Sequence, residues 1–105
     1  MRIGVLGLGF VGLTTALAFS DKKFEVLGFD IDQVKSSKIN SYKIPFFEPG
    51  LNKKLKLYLN KNFKIKNKLS DIINYSDIIF ICVGTPSNKN GSANLRFLRN
   101  IFAKI

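Results

Sequence analysis

The chain has 105 residues, of which 46% are hydrophobic and 23% charged, so it can bury the core of one small domain. It contains no His and a single Cys, which excludes a histidine-based triad, a histidine metal ligand and an internal disulfide within the chain. No apolar run reaches the length of about 18 residues that spans a bilayer, and no signal-peptide cleavage site follows the apolar start, so we expect a cytoplasmic protein.

The net charge of +10 raises the question of nucleic-acid binding. Lysines are scattered along the chain and outnumber arginines by 14 to 3, whereas phosphate-binding surfaces favour the planar fork of Arg. Asn and Ile are also abundant, which is the bias of an A/T-rich coding sequence. We therefore attribute the charge to composition and expect no nucleic-acid partner.

The first part of the chain predicts a strand, a glycine turn, a helix and a second strand. Residues 2–6 form a short apolar strand, and the helix after the turn runs to about Ser20. This helix is apolar nearly all round, which predicts burial on more than one side. The second strand covers residues 24–29 and ends at Asp30, and Asp32 suits the N-cap of a short helix that ends near Ile39.

A loop and an amphipathic helix follow. Residues 40–47 form the loop, and Pro49 is expected in the first turn of the helix. Leu51, Leu55 and Leu59 recur every four residues, which places them on one buried face.

Two further strands are predicted in the last part of the chain. Residues 63–66 alternate apolar side chains with Lys, as expected for an edge strand. After a short helix over residues 70–75, residues 78–83 are apolar throughout, which is typical of a central parallel strand. A closing helix is predicted over about residues 95–105.

This alternation of strands and helices predicts an α/β fold, a Rossmann-like doubly wound parallel sheet. The sheet is incomplete, with about four strands and flanking helices. In the strand order 3-2-1-4 the lysine-bearing third strand lies at an edge, and the apolar fourth strand needs a fifth beside it. We therefore expect residues 1–105 to be a partial N-terminal domain of a longer protein.

The motif Gly7-x-Gly9-x-x-Gly12 lies between the first strand and the first helix, where it is typical of dinucleotide binding. Gly7 allows a tight turn, Gly9 allows a pyrophosphate to approach the backbone, and Gly12 allows close packing of helix and strand. Asp30 follows at the end of the second strand, where its carboxylate can accept hydrogen bonds from the adenosine ribose and favours NAD over NADP. Lys35 could tolerate a 2′-phosphate or simply face solvent, and flavin stays possible because the glycine turn recognises the shared ADP half.

Three further segments add specificity to this motif. They are Phe-Asp-Ile-Asp at residues 29–32, Pro-Phe-Phe-Glu-Pro-Gly-Leu at residues 45–51, and Ile-Cys-Val-Gly-Thr-Pro at residues 81–86. With them the whole chain resembles the NAD-binding domain of the UDP-glucose/GDP-mannose dehydrogenase family.

The resemblance implies an enzyme that oxidises the C6 hydroxyl of a nucleotide sugar to a carboxylate in two steps, with two NAD molecules accepting hydride in turn. It also implies a homo-oligomer at full length, while the absence of Cys/His spacing and of a long apolar run predicts no metal site and no membrane partner. The nucleotide-sugar contacts and all catalytic residues would lie in a region that follows this chain. The cofactor-binding residues that it implies are Gly7, Gly9, Phe10, Val11, Gly12, Asp30, Lys35, Val83, Gly84, Thr85 and Pro86.

The chain departs from the family pattern at two positions, Phe10 where the family often has Tyr and Asn94 where it commonly has Asp. Cys82 is not the family's thiol nucleophile, which lies much further along. In an apolar strand we expect its thiol to be a core group with a raised pKa. Asp30, at a strand end, is expected to be exposed, so that Asp30→Ala weakens NAD binding with little loss of fold.

Several interpretations stay open. Within the same chemistry, the sequence Phe-Glu-Pro-Gly-Leu at residues 47–51 favours UDP-glucose as substrate, and GDP-mannose or UDP-N-acetylmannosamine are the alternatives. From other classes, the chain could be a dinucleotide-binding remnant without catalysis or a basic nucleic-acid-binding protein.

Overall fold

The structure, a computed structural model, describes residues 1–44, 46 and 48–82. Four parallel strands form one sheet in the order β3-β2-β1-β4. The strands are β1 (Arg2–Leu6), β2 (Glu25–Phe29), β3 (Phe63–Ile65) and β4 (Ile78–Ile81). The helices are α1 (Phe10–Asp21), α2 (Gln33–Asn40), α3 (Leu51–Tyr58) and α4 (Leu69–Tyr75). The predicted fold class and strand order are therefore confirmed for the described strands.

The two faces of the sheet carry separate apolar clusters. On one face α1 and α3 pack over the sheet, and Phe63 of the edge strand is fully buried there with Leu13, Leu17 and Leu55. On the other face α4 covers β1 and β2, with Ile72 at the centre of the smaller cluster. Helix α1 is thus buried against both the sheet and α3, as its apolar sequence predicts.

The N-caps of the helices agree in part with the sequence prediction. Asp32 caps α2, its carboxylate accepting hydrogen bonds from the amides of Val34 and Lys35 at 3.0 and 3.1 Å. The expectation for Pro49 is wrong, because α3 begins two residues later at Leu51 and Gly50 takes the N-cap position with φ 83°. Only glycine adopts that backbone readily, so the chain turns at Gly50 before the helix can start.

β4 pairs with β1 on one side, and no described strand pairs with its other side. Its side chains are half-buried, and Ile78 is exposed. The described strand ends at Ile81, one residue before Cys82, whereas the predicted strand end at Val83 and the closing helix over residues 95–105 lie outside the described residues.

Candidate functional site

Because all four strands are parallel, their carboxyl ends meet at one edge of the sheet, where ligands of such folds bind. β1 leads there into the glycine turn, and β2 ends at Phe29, so that Asp30 follows directly beside the turn. β4 reaches the same edge, since the Cys82 amide donates to the carbonyl of Leu6 at 2.7 Å. The structure thus brings the glycine turn and Asp30 together as predicted.

The three glycines of the motif differ in their backbone conformation and in the space around them. Gly7 has φ 94°, a left-handed conformation that other residues adopt only at a cost. Gly12 faces Gly7 so closely that a Cβ on it would lie 1.6 Å from the Gly7 carbonyl oxygen. Gly9 has an ordinary φ of −73°, and a Cβ there would meet no described atom within 4 Å. Nothing in the described protein requires glycine at position 9, so the open space above it fits a ligand.

Helix α1 begins at Phe10, two residues earlier than Gly12, so the third glycine lies inside the helix rather than before it. Gly9 is the N-cap and has no side chain to cap the helix, and the first turn carries no acidic residue. Within the described part of the chain, the amides of Phe10, Val11 and Gly12 have no hydrogen-bond acceptor. Free amides and the positive end of the helix dipole together fit an anionic group such as a pyrophosphate.

Asp30 is buried, with only 5% of its surface exposed, so the expectation of an exposed strand-end carboxylate is wrong. Its Oδ2 accepts a hydrogen bond from the Leu8 amide at 2.7 Å, and its Oδ1 accepts one from the Asp32 amide at 2.8 Å. The ammonium of Lys35 lies 3.4 Å from Oδ2. The carboxylate is thus part of the fold of the turn, and Asp30→Ala would leave the buried Leu8 amide without this acceptor.

The same carboxylate can still receive a sugar hydroxyl. A carboxylate offers about four acceptor positions, and three donors contact Asp30. Among the described residues only the Asp32 amide contacts Oδ1, so a further acceptor position is open there, and the long contact to Lys35 can lengthen to admit a second hydroxyl at Oδ2. The geometry therefore fits a ribose diol, with Lys35 paired to the acid rather than simply facing solvent.

Exposed apolar side chains surround these polar groups. Phe10 and Val11 of the first turn of α1 are 50% and 62% exposed, and Phe10 meets the Phe46 ring edge to face at 5.4 Å. Ile31 directly follows Asp30 and Val34 lies in the first turn of α2; they are 64% and 65% exposed, and the sequence analysis assigned neither of them to the site. In the sequence, the signal for Ile31 is an apolar residue between Asp30 and Asp32. The structure shows that both aspartates accept hydrogen bonds from backbone amides.

Cys82 is partly buried, and this burial raises the pKa of its thiol above the ordinary value, while a hydrogen bond with Thr15 lowers it. The predicted direction of the pKa shift is confirmed. The predicted site residues Val83, Gly84, Thr85 and Pro86, and the family departure at Asn94, lie outside the described residues.

Two further kinds of site were sought in the described ranges. No group of three or more metal-ligating side chains occurs there, and none of the described helices has both the length and the apolarity to cross a bilayer. A separate cavity of about 220 Å³ lies away from the glycine turn and is lined by Lys61, Lys64, Lys66, Tyr75 and Glu25, among others.

Comparisons with known proteins agree with this geometry. The family described as UDP-glucose/GDP-mannose dehydrogenase, NAD binding domain, matches residues 1–105. The chain is 37% identical to GDP-mannose 6-dehydrogenase of Pseudomonas putida, covering 100% of this chain and 24% of that protein. It is 36% identical to UDP-glucose 6-dehydrogenase TuaD of Bacillus subtilis, covering 93% of this chain and 22% of that protein.

Among solved structures, a ternary complex of GDP-mannose dehydrogenase from Pseudomonas aeruginosa superposes with a TM-score of 0.89 at 37% identity. The match covers 100% of this chain and 24% of that one. The chain spans no more than about a quarter of the length of these curated relatives.

Proposed function

Because this chain belongs to the UDP-glucose/GDP-mannose dehydrogenase family and matches its NAD-binding domain throughout, we propose that it holds NAD for a nucleotide-sugar 6-dehydrogenase. The observation that carries the proposal is the space above Gly9, which no described atom fills, in front of three helix amides that have no acceptor among the described residues. A pyrophosphate is the group of NAD that needs both features.

The described residues have distinct roles in this proposal. Gly9, Phe10, Val11 and Gly12 present backbone amides to the pyrophosphate, and Gly7 makes the turn that allows this. Asp30 accepts hydrogen bonds from the adenosine ribose, and its negative charge disfavours the 2′-phosphate of NADP.

Ile31 and Val34 offer an apolar surface to the adenine, since both are exposed, Ile31 directly follows the ribose acceptor and Val34 lies in the first turn of α2. Lys35 pairs with Asp30 and offsets its charge near the phosphates. The residues Val83, Gly84, Thr85 and Pro86 complete the proposed site on the grounds of the resemblance.

NAD, when bound, supplies the hydride acceptor for oxidation at C6 of the sugar. The chain's own residues bind and orient it, and we assign no catalytic residue to residues 1–105. Cys82 is unsuited to the role of thiol nucleophile, because its raised pKa disfavours the thiolate. We propose that the thiol nucleophile, the sugar contacts and the homo-oligomer interface lie outside residues 1–105, since the match covers only 24% and 22% of the two curated relatives.

For the substrate we propose UDP-glucose, oxidised to UDP-glucuronate with two NAD, from the Phe-Glu-Pro-Gly-Leu segment at residues 47–51. GDP-mannose is the second candidate, since the relative of that activity is as similar to this chain as the UDP-glucose relative. Assay of the whole protein with UDP-glucose, GDP-mannose and UDP-N-acetylmannosamine, following NADH at equal substrate concentrations, decides among the sugars.

The decisive test of the cofactor role is calorimetric titration of the chain with NAD, NADP and FAD. We expect NAD to bind most tightly, and FAD binding in its place would contradict the proposal. A remnant without catalysis would bind NAD while the whole protein oxidised none of the three sugars. A nucleic-acid-binding protein would instead bind DNA with a steep salt dependence that NAD does not disturb.

A further inference from the structure

The end of β2 holds the glycine turn through two consecutive residues. The amide of Gly7 donates to the carbonyl of Phe29 at 2.8 Å, and the amide of Leu8 donates to Oδ2 of Asp30 at 2.7 Å. The first contact is between backbone groups and is available to almost any sequence. The second needs a side-chain acceptor of the reach of Asp30.

The Leu8 amide has no alternative partner in the described part of the chain. Leu8 is fully buried, and the Asp30 carboxylate is the one acceptor found for its N–H there. A buried donor without an acceptor is unfavourable, so the turn would shift to reach water or another acceptor if the carboxylate were lost. Such a shift would displace Gly9 and the free amides of α1 that follow it.

Resting on the proposed NAD site, we propose that Asp30 is a positioning residue for the pyrophosphate as well as an acceptor for the ribose. Its carboxylate fixes the Leu8 amide and thereby sets the turn in the shape that offers Gly9 and the first amides of α1 to the phosphates. The binding of the ribose and the binding of the pyrophosphate therefore both depend on the Asp30 side chain. The charge is tolerated near the phosphates because two amides and the Lys35 ammonium surround it.

The test separates the two roles with an NAD analogue whose adenosine ribose lacks its 2′ and 3′ hydroxyls. Asp30→Leu keeps the approximate size of the side chain and removes both oxygens, so nothing at this position can accept from the Leu8 amide. If Asp30 positions the turn, this variant binds the analogue roughly tenfold or more weakly than the natural chain does. Equal affinity of both chains for the analogue would reduce Asp30 to a ribose ligand and overturn the inference.

Asp32→Ala serves as the matched control, because it removes the cap of α2 beside the site and leaves the contact of Leu8 with Asp30 intact. We expect its affinity for the analogue to stay within about twofold of the natural chain, since no contact to the phosphates changes. An equal loss in both variants would mean that general destabilisation, not positioning, explains the effect, and would also overturn the inference.

A measurement on the natural chain covers the case in which Asp30→Leu does not fold. Amide hydrogen exchange should show Leu8 protected before NAD is added, while Phe10 and Val11 exchange fast and become protected only with NAD. A fast-exchanging Leu8 amide in the free chain refutes the positioning role. If NAD at saturating concentration changes no amide and does not bind, it is the proposed function that fails.

Discussion

Gly9→Ala and Gly12→Ala should separate the function of the glycine turn from its fold. The backbone at Gly9 has a conformation that Ala adopts without strain. Ala lowers the entropy of the unfolded chain, which raises the free energy of unfolding by about 0.4–1 kcal/mol, but it is a poorer N-cap, which lowers the free energy of unfolding by a similar amount. The new methyl group would enter the space proposed for the pyrophosphate. Losing one charge-assisted hydrogen bond of about 1.5–3 kcal/mol weakens NAD binding roughly 10- to 100-fold.

At Gly12 the same methyl group has no room, because it would lie 1.6 Å from the Gly7 carbonyl oxygen and 2.8 Å from the Gly7 carbonyl carbon. Helix α1 must move away from the turn, which should cost about 3 kcal/mol or more of the free energy of unfolding. Urea unfolding followed by circular dichroism measures stability, and calorimetric titration with NAD measures binding. The reasoning is refuted if Gly9→Ala binds NAD like the natural chain, or if it loses as much stability as Gly12→Ala.

Four further predictions concern the neighbouring side chains. Asp32→Ala should lower the free energy of unfolding by about 1 kcal/mol through loss of the α2 cap, and an unchanged urea midpoint would contradict this. Lys35→Ala should weaken NADP binding more than NAD binding, because it removes the cation beside Asp30; titration with both cofactors shows whether the ratio moves. Burial raises the pKa of Cys82, so alkylation by iodoacetamide at pH 8.5 should be slower than for a small free thiol, and a faster rate would speak against the partly buried position. Burial, with help from a hydrogen bond to Glu25, raises the pKa of Tyr75 from 10.0 to about 12. The protonated Tyr75 side chain therefore contributes its full stability below pH 10, and this contribution is lost as the pH rises through about 12. In urea unfolding, the free energy of unfolding of Tyr75→Phe should fall less steeply over this range than that of the natural chain, and parallel curves would exclude the effect.

The strand order and the Asp32 cap could be predicted because each depends on local pattern. Alternation of Lys with apolar residues marked the edge strand, and a short acidic residue before a helix has one well-known role. The burial of Asp30 could not be predicted in this way. It depends on a hydrogen bond to Leu8, 22 residues earlier in the chain, and no periodicity reports such a contact.

The predictions for the start of α1 and for Pro49 were wrong for a related reason. Motif reasoning placed all three glycines in the turn, yet Gly12 is held inside the helix by its close approach to Gly7. Gly50, rather than Pro49, decides where α3 begins, because it adopts a left-handed conformation. The exposure of Ile31 and Val34 could not be predicted either, because an apolar side chain gives no local sign of whether it lies in the core or on an open surface.

The two hydrogen bonds that link Gly7 and Leu8 to the end of β2 also bear on the thermodynamics of cofactor capture. A turn that is already rigid before the ligand arrives loses little conformational entropy on binding. The ordering penalty then falls on the flexible dinucleotide and not on the protein backbone. A small domain of this kind can therefore reach useful affinity with few contacts, because its binding surface is preorganised during folding.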